Sequence, residues 1–406
     1  MNRTQKEEWK GRTLLFFTSQ CITLFGSTLV QMAVVWYATL ETSSGLWVSA
    51  FSICSYLPQF LLSLPGGLWA DRCSRKRLII GADLAIASVT LLMICLLPDI
   101  EGGTPLLASL LLMSALRSAG AGIQTPAVNA EIPRLVPEAG RLRFNGINAA
   151  MQSVVQFAAP AAAGVLLTVS DLRMVLWIDV LTAVIGTGIL SGVRLPEQKN
   201  AKRRTEEKEF RDAGFTRAGR GLGKAGKLLL IYGLFVFLCV PAGFLAGLLV
   251  NRVYGDTYGY LTAVELTGFL GMTAGGLLMS RWRGFQRKER TLAVGLSVFG
   301  LMAALMGMTE CFPMYLACMA VYGVALTLVQ TVLVTLLQEH TKESEQGRIF
   351  GLQSSVYAGA PPLGMAIFGP LADVMPLQRI LILSGTALLC LAAIAPFILL
   401  ITRFFS

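Results

Sequence analysis

Three carboxylates and one guanidinium stand inside long apolar stretches of this chain: Asp83, Asp179, Glu265 and Arg117. A low-dielectric setting disfavours the charged form of a carboxyl, which lets such a group take up and release protons near neutral pH. A cation in the same setting costs about 2.5 kcal/mol or more unless it faces protein, another charge or a watery cavity. The chemistry these four residues could do together is proton coupling. Glu265 is the sharpest candidate, because it lies about 10 Å into its apolar stretch at ~1.5 Å per helical residue.

A second pattern is uncharged. Asn145, Asn148, Gln152 and Gln156 follow spacings of three, four and four, which puts all four amides on one face of a helix, lining either a cavity or a helix contact. Other chemistries lack their residues. The 8 cysteines contain no Cys-x-x-Cys pair, and the single His340 cannot build a His-rich metal site, so neither a disulfide framework nor zinc is expected. No P-loop is present, since Gly223-Lys224 is followed by Ala225 and position 218 is not glycine. No His-rich cluster or nucleophile–base pair appears at reactive spacing, so the chain is not read as an enzyme, and no cofactor is expected.

The elements that must position these residues are membrane spans. With 54% hydrophobic and 14% charged residues, the chain falls well below the roughly 25% charge of soluble domains. Apolar segments of ~20 residues, enough to cross about 30 Å of hydrocarbon as helix, fall at 13–40, 46–69, 78–98, 105–130, 143–169 and 173–193. Six more follow at 228–250, 258–280, 291–309, 313–337, 348–371 and 378–402. The first is too long for a signal-peptide core and is retained as a span. Nearly all of the 34 Lys and Arg residues sit in every second gap and at the termini; Arg173, Arg252 and Arg379 occupy opposite gaps, and Arg117 is inside a span. Basic loops stay cytoplasmic, so both ends of this plasma-membrane chain are expected inside. Basic residues dealt out between spans, for a net charge of +10, suit anionic lipid headgroups and not nucleic acid.

The polar stretch Arg194 to Lys227 divides the chain into 1–193 and 228–406, two expected six-helix bundles. It reads as a solvated cytoplasmic linker, with lipid binding or regulation as the alternative. The halves echo each other. Gln124-Thr125 recurs as Gln330-Thr331, 206 residues later, and Gly140-Arg141-Leu142 recurs as Gly347-Arg348-Ile349, 207 later. Gly67, Asp71 and Arg72 likewise match Gly276, Ser280 and Arg281, 209 later. Duplication of a six-helix unit about an axis along the membrane normal would enclose a site near the midplane.

Between the second and third spans, Gly67-Leu68-Trp69-Ala70-Asp71-Arg72-Cys73-Ser74-Arg75-Lys76-Arg77 resembles the cytoplasmic loop motif of the major facilitator superfamily, Gly-x-x-x-Asp-Arg-x-Gly-Arg-Lys/Arg, with Ser74 in place of the second glycine. A small residue at Gly67 lets a neighbouring helix approach, and Asp71 can face the positive end of another helix. The resemblance implies that this helix is the eleventh, near Gly347, and that Arg75 pairs with an acid at the end of the fourth span, for which Glu131 is the candidate. Arg117 with the small residues after it is similar to the superfamily's fourth-helix motif associated with proton coupling. Pro160 and Gly164 resemble a degraded antiporter motif in which two glycines have become alanine. In this fold the helix of Glu265 faces the cavity and the sixth helix is outer support. Asp179 is then expected to pack or to link to Arg173, and Asp83, at the cytoplasmic entrance of its span, to close the loop network.

On spans that the resemblance turns towards the cavity lie Gln31, Trp36, Tyr56, Gln59, Gln124 and Asn129 in the first half, with Tyr232, Gln330, Gln353 and Tyr357 in the second. An aromatic, amide-rich cavity suits a bulky amphiphile better than a small sugar or ion. Segments such as Leu29-Val30-Gln31-Met32-Ala33, Thr125-Pro126-Ala127-Val128-Asn129-Ala130 and Ile178-Asp179-Val180-Leu181 are similar to the macrolide-efflux branch of the superfamily. That resemblance implies a monomeric, proton-driven exporter conferring antibiotic resistance. The alternatives are an exporter of a siderophore or lipid-like metabolite with the same fold, and a non-transporting membrane sensor or scaffold.

Overall fold

A computed structural model describes residues 3–100, 102–135, 141–193, 223–281, 288–341 and 346–400, and these are helical, with no strand among them. The first half comprises α1 (Arg3–Thr42), α2 (Gly45–Arg72), α3 (Arg75–Leu96), α4 (Thr104–Leu135), α5 (Arg141–Val169) and α6 (Leu172–Gly192). The second comprises α7 (Gly223–Gly243), α8 (Ala246–Val253), α9 (Tyr258–Arg281), α10 (Lys288–Met308), α11 (Phe312–Glu339), α12 (Gln346–Val374) and α13 (Leu377–Leu400).

Twelve passes result. Eleven segments are long and apolar enough to cross a membrane, α7 and α8 counting as one, and α12 supplies the twelfth pass at 29 residues, about 43 Å of helix. The expected single span over 228–250 is broken: Pro241 removes a backbone donor, and the helix stops at Gly243 before resuming at Ala246. It also starts earlier than expected, so that Gly223 to Lys227 belong to α7. The rest of the expected linker, 194–222, lies outside the described residues.

Helices pack within their own half through α2 on α4, α1 on α6 and α3 on both α4 and α6, and through α10 on α13 and α11, with α9 on α11. Glycine sets the closest of these approaches. A Cβ at Gly122 of α4 would stand 2.8 Å from the Gln59 carbonyl oxygen of α2, and one at Gly323 of α11 would stand 2.6 Å from the Gly268 carbonyl oxygen of α9. With lipid as solvent, helices associate through such close van der Waals contact and not through a hydrophobic drive.

Across the halves, α2 meets α12 and α5 meets α9. These contacts gather towards the end of the molecule away from the termini. Gly45 and Ser49, in the first turns of α2, touch Gly369 of α12, and Gly164 of α5 sits directly on Thr262 of α9. Towards the terminal end, Gly67 of α2 and Gly351 of α12 have no atom within 4 Å of where a Cβ would stand.

Gly122→Val is expected to destabilise the detergent-solubilised protein by about 1–3 kcal/mol through overpacking. Gly81→Val, at a position open for 4 Å around the added Cβ, should change little. Thermal unfolding of the two variants beside the parent chain checks the difference.

Candidate functional site

Arg117 projects from the middle of α4 into the interior of the first half and is 8% exposed. Its guanidinium holds Asp179 of α6 in a two-pronged grip, Nη1 to Oδ2 and Nη2 to Oδ1, the latter at 3.1 Å. Asp179 is therefore joined to Arg117, 62 residues away, and not to Arg173. Nη1 also donates to the Thr90 hydroxyl of α3, and Thr90 donates to Asp179 Oδ2 at 2.9 Å. Three helices are fastened here by one buried charge pair. The planar, forked guanidinium suits this task better than a lysine ammonium would.

Two turns along α3 from Thr90, Asp83 is equally buried. Gln124 Nε2 donates to its Oδ1 at 2.7 Å, and its Oδ2 has no hydrogen-bond partner among the described residues. Gln124 is thus turned to a helix neighbour within the first half.

A second polar group forms between the halves. Gln31 of α1 lies within hydrogen-bonding reach of the Tyr56 hydroxyl of α2, and Tyr56 is within electrostatic range of Glu265 of α9 and Tyr357 of α12. Tyr232 of α7 has Gln353 of α12 in hydrogen-bonding reach, with Tyr357 beside it. Phe244, at the break between α7 and α8, meets Tyr56 edge to face with ring centroids 5.9 Å apart. Below them Phe157 of α5 and Phe269 of α9 pair across the halves at 5.4 Å. Of these side chains only Glu265 carries a formal charge. It lies one turn from Thr262, where the absence of a side chain at Gly164 lets α5 press against α9. Pro160, one turn before Gly164, is buried. The group can hold an amphiphile: rings for apolar faces, amides and phenols for polar edges, and one carboxyl whose charge can be matched or neutralised.

Two basic residues of the loop motif bond within their own half. Arg75 donates from Nε to the Ala70 carbonyl at 3.0 Å and from Nη1 to the Ala130 carbonyl at 2.6 Å, with Glu131 Oε2 3.6 Å from Nη1. Lys76 Nζ caps the end of α6 through the carbonyls of Ser191 (2.6 Å) and Val193 (2.8 Å). Arg72 is exposed, and the side chains of Asp71 and Gly347 lie outside the described residues, as does that of Asn145.

The remaining sequence candidates are dispersed. Trp36 is 4% exposed and packed into the hydrophobic core. Gln59 is half-buried, and its backbone N–H donates to Ser118 Oγ of α4 at 3.0 Å. Asn148 and Gln330 are half-buried, whereas Asn129, Gln152 and Gln156 are exposed. Sequence reasoning passed over Thr90 and Phe244. A threonine in an apolar helix commonly bonds the carbonyl four residues back, as Thr90 does to Ile86 at 3.1 Å, so nothing in its spacing marks a second task. Phe244 had a signal, the Pro241 and Gly243 that interrupt its span.

The profile of the Major Facilitator Superfamily matches residues 16–365. Macrolide efflux protein A of Streptococcus pyogenes is 28% identical over 396 residues, covering 96% of each chain. The multidrug efflux pump Tap of Mycolicibacterium fortuitum is 21% identical over 405 residues, again covering 96% of each. A crystal structure of a bacterial homologue of the iron transporter ferroportin, in an inward-facing state, has the same fold with a TM-score of 0.71, 16% identity and coverage of 96% of this chain and 98% of that one.

Arg117→Met is expected to destabilise the protein by about 3–5 kcal/mol, because it strands the Asp179 carboxylate without its partner, while adding Asp179→Leu should recover most of the loss. Melting temperatures of the single and double variants in detergent decide this.

Proposed function

The chain belongs to the Major Facilitator Superfamily and is a multi-pass membrane transporter of small molecules, and we propose that it exports bulky, macrolide-like amphiphiles from the cell in exchange for protons. The observation that carries this reading is the position of Glu265: one ionisable side chain among tyrosines, phenylalanines and glutamines contributed by both halves. The S. pyogenes relative, a macrolide efflux protein, supports the direction and the cargo.

The halves, 1–193 and the part of the chain from Gly223 onward, rock as two bodies about this group, joined by residues 194–222. With both termini in the cytoplasm, as the basic loops favour, the end joined at Gly45 and Gly369 faces outward. Cargo enters from the cytoplasm and settles on the rings and amides while Glu265 is charged. After the halves rock, a proton from outside neutralises Glu265, the site's preference for cargo falls, and the cargo leaves. Proton and cargo thereby favour different states of one equilibrium, which is what coupling requires. Arg117 and Asp179, locked together inside the first half, hold α3, α4 and α6 as a rigid wall. Asp83, with one amide donor, is the second acid for which protonation is chemically open.

Proteoliposomes carrying the chain test the reading. A pH gradient, acidic on the outer side, should drive macrolide flux, and Glu265→Gln should lower that flux by about tenfold or more while leaving the protein folded. Flux at parent level in Glu265→Gln overturns the assignment of the proton to Glu265. Absence of gradient-driven flux from the parent chain overturns the exchange.

A further inference from the structure

The two halves are also tied by a charged cluster at the end away from the termini. Asp373, in the last turn of α12, accepts from the backbone N–H of Gly45 at 2.6 Å, from the backbone N–H of Leu46 at 2.8 Å, from Ser44 Oγ at 2.8 Å and from Arg252 Nη2 at 2.7 Å. The first three donors belong to the other half, where they form the start of α2. The opening N–H groups of a helix have no partner inside it and carry its positive end. A carboxylate from the second half is therefore the cap of a helix in the first.

Arg252, in the last turn of α8, completes the arrangement. Its Nε donates to the Ser43 carbonyl at 3.0 Å, its Nη2 reaches the same oxygen, and its Nη1 donates to the Ala372 carbonyl. Asn251 beside it donates to the Thr39 carbonyl at 3.0 Å and to Ser43 Oγ at 2.6 Å. The α1–α2 turn is thus gripped by two elements of the second half. Ser43 stands in the left-handed backbone region at φ 48°, unusual for a residue with a side chain, and its carbonyl is the one that takes both arginine contacts.

We propose that Asp373 and Arg252 form an outer latch on the central site, which sets how often the transporter opens away from the cytoplasm. The latch rests on the rocking motion proposed above but not on its cargo or its proton. Two features fit it for repeated opening. It spans the halves: α2 cannot leave α12 without breaking the bonds of Ser44, Gly45 and Leu46 to Asp373, and the α1–α2 turn cannot follow without losing Arg252 from the Ser43 carbonyl. It is also wet: the side chains of Arg252 and Asp373 are 28% and 31% exposed, against 9% and 3% for the side chains of Arg117 and Asp179. Water can take over the hydrogen bonds of the separated partners, whereas parting the buried pair would leave two charges dry. Directly beneath, Gly45 against Gly369 and Ser49 against Met365 (Oγ to Sδ 3.8 Å) close with the latch and open with it.

The test reads conformation and not transport. A reporter cysteine at Tyr357→Cys, in the full chain in intact cells, is labelled from outside with a membrane-impermeant maleimide, the chain without the reporter giving the background. Asp373→Asn and, separately, Arg252→Gln should each speed outside labelling of the reporter by about tenfold, a population shift of that size following from loss of the inter-half bonds. Arg252→Lys, which keeps one charge on Asp373 but not the fork to Ser43 and Ala372, should fall between. Unchanged labelling in variants present in the membrane at parent amounts overturns the latch. Arg252→Gln carries the test if Asp373→Asn is poorly inserted, since it leaves the α2 cap in place. Failure of Glu265→Gln to reduce flux would leave the labelling result untouched, so the two readings fail separately.

Discussion

Hydrocarbon offers no hydrogen bonds, and most of what is described above follows from that. Every backbone N–H and C=O within the bilayer must find its partner in the same helix, so the chain becomes helices and short turns, and hydroxyl side chains fold back on their own helix, as Thr39 does to Val35 and Thr187 to Ala183. The polar groups that helices cannot absorb go where protein meets protein. Arg117, Asp179 and Thr90 fill the interior of one half; Gln31, Tyr56, Glu265, Gln353 and Tyr357 fill the space between halves.

That division explains why two sets of ionisable residues so similar in sequence do different work. A bidentate arginine–carboxylate pair is neutral as a unit and needs no solvent, so it can be sealed into a bundle as a rivet. Glu265 has no cation beside it among the described residues, so in the proposed exchange its charge is answered by the cargo. Asp373 is a third case, answered by a helix start and an arginine at a watery margin. The same carboxylate is a rivet, a receptor or a clasp according to how many donors surround it and whether water can reach them.

The passes and their number were legible in the sequence, because hydropathy is a one-dimensional signal. Partnerships were not. Asp179 has Arg173 close by in the chain, but Arg173, in the first turn of α6, is exposed, whereas Arg117, on a helix packed two neighbours away, faces the carboxylate. Trp36 lies in an apolar run, Ala33-Val34-Val35-Trp36-Tyr37-Ala38, and its face of α1 turns into the core. Which way a residue faces on a helix buried on several sides is decided by packing, and an almost uniformly apolar helix gives periodicity nothing to register. Arg252 did announce itself as one of three basic residues in the opposite gaps. An arginine on the side where topology disfavours it has a local reason to be there, and the reason is the turn it grips.

Gly45 and Gly369 meet backbone to backbone, with only the small side chains of Ala372 and Ser49 among their nearest atoms. Surfaces without rotatable groups have nothing to reshuffle when they separate: no rotamer is freed on parting and none has to be found again on return. Such a junction behaves like a bare hinge plate, whose rate of movement is governed by direct attraction and by the handful of polar bonds at its rim, with little drag from side chains having to find their places.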